Sequence, residues 1–86
     1  MATVAILPGA VQIQFYPRDH DPPHFHARQG GDDLVVRIAD LAVLHGILRR
    51  GDIRDVLDWA RRHQAELALN WILSRAGLEV RMITFP

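Results

Sequence analysis

An α+β fold, a small antiparallel sheet of three to five strands packed on one long C-terminal helix, is predicted by two patterns in this chain. Apolar and polar residues alternate through the first half, as in half-buried strands, and recur at helical spacing from Asp52 to Ala76 in the second. With 86 residues, 49% of them hydrophobic, the chain can bury one core but not two, so a single domain over residues 1–86 is expected.

Val11, Ile13 and Phe15 alternate with Gln12, Gln14 and Tyr16, giving a strand with one apolar and one polar face that Pro17 ends. Pro22 and Pro23 lack backbone donors and stiffen the loop from Arg18 to Pro23. In the next strand Phe25 and Ala27 point into the core, while His24, His26 and Arg28 point away from it. Gly30-Gly31-Asp32 supplies a turn, and in a third strand, Leu34 to Ala39, Leu34, Val36 and Ile38 oppose Val35, Arg37 and Ala39. Leu41 to Leu48 reads as a short fourth strand. Asp52 is the expected N-cap of the main helix, whose Ile53, Val56, Leu57, Ala60, Leu67 and Trp71 recur at helical spacing until Gly77 stops it. A straight helix of that length is about as long as the domain is wide, so a kink or an overhang is expected. Leu78, Val80 and Met82 suggest a last strand. Phe15, Phe25, Val36, Leu57, Ala60 and Leu67 are the expected core.

The helix carries a second pattern. Trp59, His63, Glu66 and Asn70 form a narrow stripe along one edge of its apolar face, between core and solvent. Leu69, Ile72 and Leu73 fall toward the charged side formed by Arg54, Asp58, Arg61 and Arg62. The last strand, a second subunit or another partner is expected to cover them.

The formal charge is zero, with 10 basic and 10 acidic residues, so no global field draws in nucleic acid or an anionic membrane. Phosphate binding would have to be local. Every basic residue is arginine, which reflects base composition more readily than a set of phosphate forks. Without cysteine the chain has no disulfide and no thiolate metal site, and a cytoplasmic location is expected. The apolar run Val4 to Leu7 is too short for a signal segment, and no stretch approaches transmembrane length.

Chemistry concentrates in Asp19-His20-Asp21-Pro22-Pro23-His24-Phe25-His26-Ala27-Arg28, which holds three of the five histidines. His24, His26 and Arg28 share one strand face, and Tyr16 and Gln14 join them across a hairpin. Two chemistries suit this set. As ligands, His20, His24 and His26, alone or with Asp19 as a further donor, would hold one divalent metal ion and leave a position open to water. As acid–base groups, the imidazoles would move protons with no cofactor while Arg28 stabilises a developing anion, a set suited to RNA cleavage by the 2′-hydroxyl. On that second reading the catalytic residues are His20, His24, His26, Arg28, Asp19 and Tyr16. Arg28 tilts the choice toward it, since an arginine repels a cation by about 1 kcal/mol at 4 Å in water. The remaining reading is purely structural: clustered histidines hydrogen-bond one another, and Asp19 closes a turn. His45, in an apolar stretch, and His63, at the edge of the helix core face, are expected to be structural, and Trp59 and Trp71 to be core.

The run Asp19-His20-x-Pro22-Pro23-His24-Phe25-His26, followed by Gly46-x-Leu48, Trp59, His63, Glu66-Leu67 and Asn70-Trp71, resembles the short bacterial proteins of the domain of unknown function 4160 family. The resemblance extends from about Pro8 to Trp71. Arg49 stands where the family often has proline, and Asp21 fills a variable position. Members are commonly encoded beside a protein of the domain of unknown function 2442 family, an arrangement that looks like a toxin–antitoxin pair. The resemblance therefore implies a toxin, acting through the histidine cluster with RNA as target and ribonuclease as candidate activity, and a cognate antitoxin of the domain of unknown function 2442 family. Two other readings stay open. One is a small metal-binding or regulatory domain without catalysis; the other is a non-enzymatic protein-interaction module, with a homo-oligomer among its forms.

Overall fold

Pro8 and Gly9 turn the chain between two strands, β1 (Ala2–Leu7) and β2 (Val11–Phe15), in the computed structural model, which describes residues 1–86. Gly9 takes φ +85°, a conformation that costs glycine nothing and most other residues a clash. β3 (His24–Gln29), β4 (Asp32–Arg37) and β5 (Val43–Gly46) follow, and each strand pairs antiparallel with the next in the order β1-β2-β3-β4-β5. The fold is α+β, as expected, with five strands in its sheet. Strand β1 lacks the alternation that reveals the others. Its register shifts between Thr3 and Ala5, and this bulge buries the neighbours Val4 and Ala5 together.

The single long helix is replaced by α1 (Arg50–Arg62) and α2 (Gln64–Arg75). A straight helix from Arg50 to Arg75 would run about 39 Å at 1.5 Å per residue, longer than the molecule's largest extent of 33 Å. The break falls at His63, with φ −128° and ψ 23°. Its ring is held by Glu66 Oε1 at 2.6 Å and by the Pro86 carbonyl at 2.9 Å. The bend lets Trp59 and Ala60 of α1 and Leu67 and Trp71 of α2 all reach one core. The first helix starts two residues earlier than Asp52, with Arg49 at the N-cap position. Asp52 instead lies in the first turn, where its charge suits the helix dipole and it accepts a hydrogen bond from Arg49 Nε at 2.9 Å. Gly77 does end the helix. At φ +73° its N–H reaches the Ser74 carbonyl and the Leu78 N–H reaches Leu73, the paired bonds of a Schellman motif.

The expected last strand does not form, because a side chain takes the backbone groups a ladder would need. Asn70, buried on α2, donates from Nδ2 to the Arg81 carbonyl at 2.9 Å and accepts the Arg81 N–H at 2.7 Å. Beyond this clamp, Ile83 is buried and its N–H donates to the Val4 carbonyl at 2.7 Å, so the segment lies along the outer edge of β1. Phe15, Phe25, Val36, Ala60 and Leu67 are buried together as expected, with Leu57 half-buried against them. Leu69 and Ile72 are exposed and Leu73 is half-buried. No helix is long and apolar enough to cross a membrane.

Candidate functional site

Alternation on β3 places Phe25 and Ala27 in the core, and so turns His24 and His26 to the opposite face. Gln14 of β2 and Val35 of β4 flank His26, and Arg28 is paired with Asp33. The preceding loop folds back onto this face. Its Asp19 N–H donates to the Tyr16 carbonyl, and the Pro23 carbonyl accepts the Ile38 N–H, so both ends of the loop are tied to the sheet.

One carboxylate oxygen organises the site. Asp19 Oδ2 lies 3.1 Å from His24 Nε2 and 2.9 Å from His26 Nε2. The other ring nitrogens are also held: His24 Nδ1 donates to the Pro22 carbonyl at 2.8 Å, and His26 Nδ1 lies 3.3 Å from Asp33 Oδ2. The side chains of His24, His26 and Asp19 are 11%, 14% and 23% exposed, so water screens them little.

This arrangement constrains the protons. A carbonyl only accepts, so the His24 hydrogen belongs on Nδ1, and a neutral His24 presents its Nε2 lone pair to a carboxylate. His26 meets a carboxylate at each nitrogen. Two imidazolium rings would satisfy every contact, but at a centroid separation of 5.3 Å they would repel each other. A cation among the three groups removes the conflict. One ligand atom each from Asp19, His24 and His26 lies within 4.8 Å of the others. Two imidazoles and one carboxylate form a donor set for zinc or another first-row divalent ion, with positions left for water or substrate. Pro22 and Asp33 then fill the role of outer partners, which orient ligating rings through their second nitrogen. Asp33 also has a buried Oδ1 with no partner, which adds negative potential beside the cluster.

The chain matches the family model described as "Domain of unknown function (DUF4160)" over residues 11–72. It belongs to this DUF4160 family. No curated protein and no solved structure matches it. The span shared with the DUF4160 family contains Asp19, His24, His26 and Asp33, whereas β1 and the C-terminal segment lie outside it.

A second group borders the ligands. The Tyr16 ring packs 4.5 Å from His26, and Arg28 Nη1 donates to the Tyr16 hydroxyl at 3.1 Å. That hydrogen bond first, and the nearby Asp33 charge after it, hold the Arg28 pKa above its ordinary value, and as an arginine it carries its charge throughout the working pH range. Tyr16 in turn donates to Gln14 Oε1 at 3.3 Å. On the other flank Trp71 packs 5.0 Å from His24, and the Arg75 guanidinium lies over the indole at 5.4 Å.

The structure thus brings Asp19, His24 and His26 together, with Tyr16 and Arg28 adjacent. His20 does not join them. It is exposed on the loop and makes no side-chain hydrogen bond, because Asp19, its neighbour, is the residue turned inward. His45 is exposed on β5 rather than built into the interior, and His63 holds Glu66 and the Pro86 carbonyl. Sequence reasoning passed over Asp33. Its signal was available: pairing back from Gly30-Gly31 sets Asp33 opposite Arg28, on the histidine face. The two surface hollows are lined by Pro8, Asp55, Asp58, Arg62 and Phe85, and by residues of α2 with Arg81 to Ile83. Neither includes a histidine, and the cluster lies apart from both, between the Tyr16 and Trp71 rings.

Proposed function

We propose that this protein is a divalent-metal domain in which Asp19, His24 and His26 are the protein ligands, and that its open coordination positions act on an anionic substrate. The observation that carries this reading is the convergence of both Nε2 atoms on Asp19 Oδ2 while both Nδ1 atoms are engaged elsewhere. Arg28 opposes a cation, but Asp19 and Asp33 supply two carboxylates against it. When bound, such an ion supplies Lewis acidity toward water and an ester or phosphate oxygen. The chain's own contribution is to fix the two rings, to exclude water on the Trp71 side, and to offer Arg28 and Tyr16 as donors to the anion. In the two-gene arrangement that the family resemblance implies, this centre would be the active part of a toxin directed at RNA and neutralised by a domain of unknown function 2442 antitoxin.

A metal-independent ribonuclease is the second reading, favoured by the Tyr16–Arg28 pair against His26, which places an anion-binding group beside an acid–base group. Metal titration of chelator-stripped protein separates the two. The wild type is expected to take up stoichiometric zinc, nickel or manganese, and Asp19→Ala, His24→Ala and His26→Ala to lose it, while His20→Ala binds as wild type. Absence of binding with all three metals, or loss in His20→Ala equal to that in His24→Ala, would overturn the metal reading. RNA cleavage that persists in excess chelator would establish the second.

A further inference from the structure

The C-terminal segment is fastened at three points. Asn70 holds the backbone of Arg81, the Val4 carbonyl accepts the Ile83 N–H, and His63 Nε2 lies 2.9 Å from the Pro86 main-chain oxygen. The first two are amide contacts, so only the third has a side chain that can change its charge.

Both ring nitrogens of His63 meet acceptors, since Nδ1 lies 2.6 Å from Glu66 Oε1. An imidazolium donates to both oxygens, whereas a neutral ring has one hydrogen and turns a lone pair on the other oxygen. The side chain is 13% exposed, so water reaches the failed contact poorly. From α1 the Trp59 ring packs 5.0 Å away, from α2 Glu66 is the one ion-pair partner, and from the C-terminal segment Pro86 reaches the ring. Asp55, Asp58 and Arg62 of α1 line the hollow beside Phe85 and do not pair with it.

The single hydrogen of the neutral ring belongs on Nδ1. The Glu66 contact is the shorter, has a charged acceptor, and joins residues only three apart at the start of α2. The Pro86 contact spans 23 residues and requires the end of the segment to be ordered.

We infer that His63 is a pH-sensitive latch on the C-terminal segment: the imidazolium holds Glu66 and Pro86 together, and the neutral ring keeps Glu66 and releases Pro86. Histidine changes charge between about pH 5 and 8, so the latch opens as pH rises through that range. Release loosens the cover over the outer edge of β1, where the Ile83 N–H meets the Val4 carbonyl. The latch does not depend on the metal reading.

Imidazole nitrogen NMR and amide exchange test this, with chelator present so that no ion binds the other histidines. At about pH 5.5 both His63 nitrogens are expected to carry hydrogen, and at about pH 8 only Nδ1. Protection of the Ile83 amide, with the intrinsic pH dependence of exchange divided out, should fall several-fold between the two. Glu66→Gln removes the charged acceptor, so its neutral ring should keep Pro86, and Ile83 should be equally protected at both pH values although every other histidine still titrates. A wild-type ring whose one hydrogen sits on Nε2 would overturn the inference, a result that needs no variant. Wild-type protection that stays constant, or a Glu66→Gln protein that loses it as the wild type does, would overturn it as well.

Discussion

Replacing Gly46 by alanine perturbs the candidate site from a residue that touches none of the ligands. Gly46 holds φ +94°, and a Cβ built there would lie 1.9 Å from the Asp33 carbonyl oxygen and 3.0 Å from the Leu34 Cα. These obstacles are backbone, so β4 or β5 must move. An unfavourable φ of this kind costs about 1–3 kcal/mol in a non-glycine residue. For a domain of this size, about 2 kcal/mol lowers Tm by roughly 8–16 °C. Displacing Asp33 has a second effect, since its Oδ2 is the partner of His26 Nδ1 at 3.3 Å. Losing such an outer partner typically weakens metal affinity about 10–100-fold. Differential scanning fluorimetry gives the first quantity and calorimetric metal titration the second. Gly31→Ala is the control, because a Cβ there meets nothing and its φ is ordinary. A Gly46→Ala protein with the wild-type Tm would refute the close approach of the two strands. A lowered Tm with unchanged metal affinity would refute the connection from Gly46 through Asp33 to His26.

Two further substitutions test the pairs that hold the loops and the C-terminal segment. Asp40, bonded chiefly by Arg37 and then by the Ala42 N–H, has its pKa lowered from 3.8 to about 2. A carboxylate with a depressed folded pKa stabilises the fold above its unfolded value, and that contribution is lost as pH falls from about 4 through about 2. Asp40→Asn should therefore flatten acid destabilisation in this window, as read by denaturant midpoints at a series of pH values; an unchanged profile would mean that the pair contributes nothing to the acid response. Asn70→Ala removes both hydrogen bonds to Arg81 from a buried position and should cost about 1–3 kcal/mol. Amide exchange at Ile83 should quicken with it, and protection there equal to wild type would show that the clamp does not hold the segment on β1.

The fold was legible wherever apolar and polar side chains take opposite faces of an element. Alternation marked β2, β3 and β4 because core residues such as Ile13, Phe25 and Val36 face polar ones across each strand. It failed for β1, where a bulge buries two neighbours, and for the C-terminal segment, whose Leu78, Val80 and Met82 alternate although Asn70 occupies the backbone of Arg81. Helical spacing found the apolar residues of α1 and α2 but not the break between them. Periodicity tolerates one irregular residue, and the contacts that bend the chain at His63 come from Glu66 and the distant Pro86.

The site divides along the same physical line. A strand fixes the direction of every side chain, so the shared face of His24, His26 and Arg28 followed from spacing alone. A loop imposes no such rule, and proximity in sequence favoured His20 over Asp19 as the third donor. Asp19 turns inward where His20 turns out, because the Asp19 N–H is bonded back to Tyr16 and its carboxylate lands between two ring nitrogens. This changes the chemistry and not only the membership. Three imidazoles would make a neutral ligand set beside a cationic Arg28, whereas two imidazoles with Asp19, and Asp33 behind them, bring two negative charges. Arg28 weighs against a cation only beside the first, neutral composition. With the second, two carboxylates offset the charge of Arg28, which is itself bonded to the Tyr16 hydroxyl at 3.1 Å.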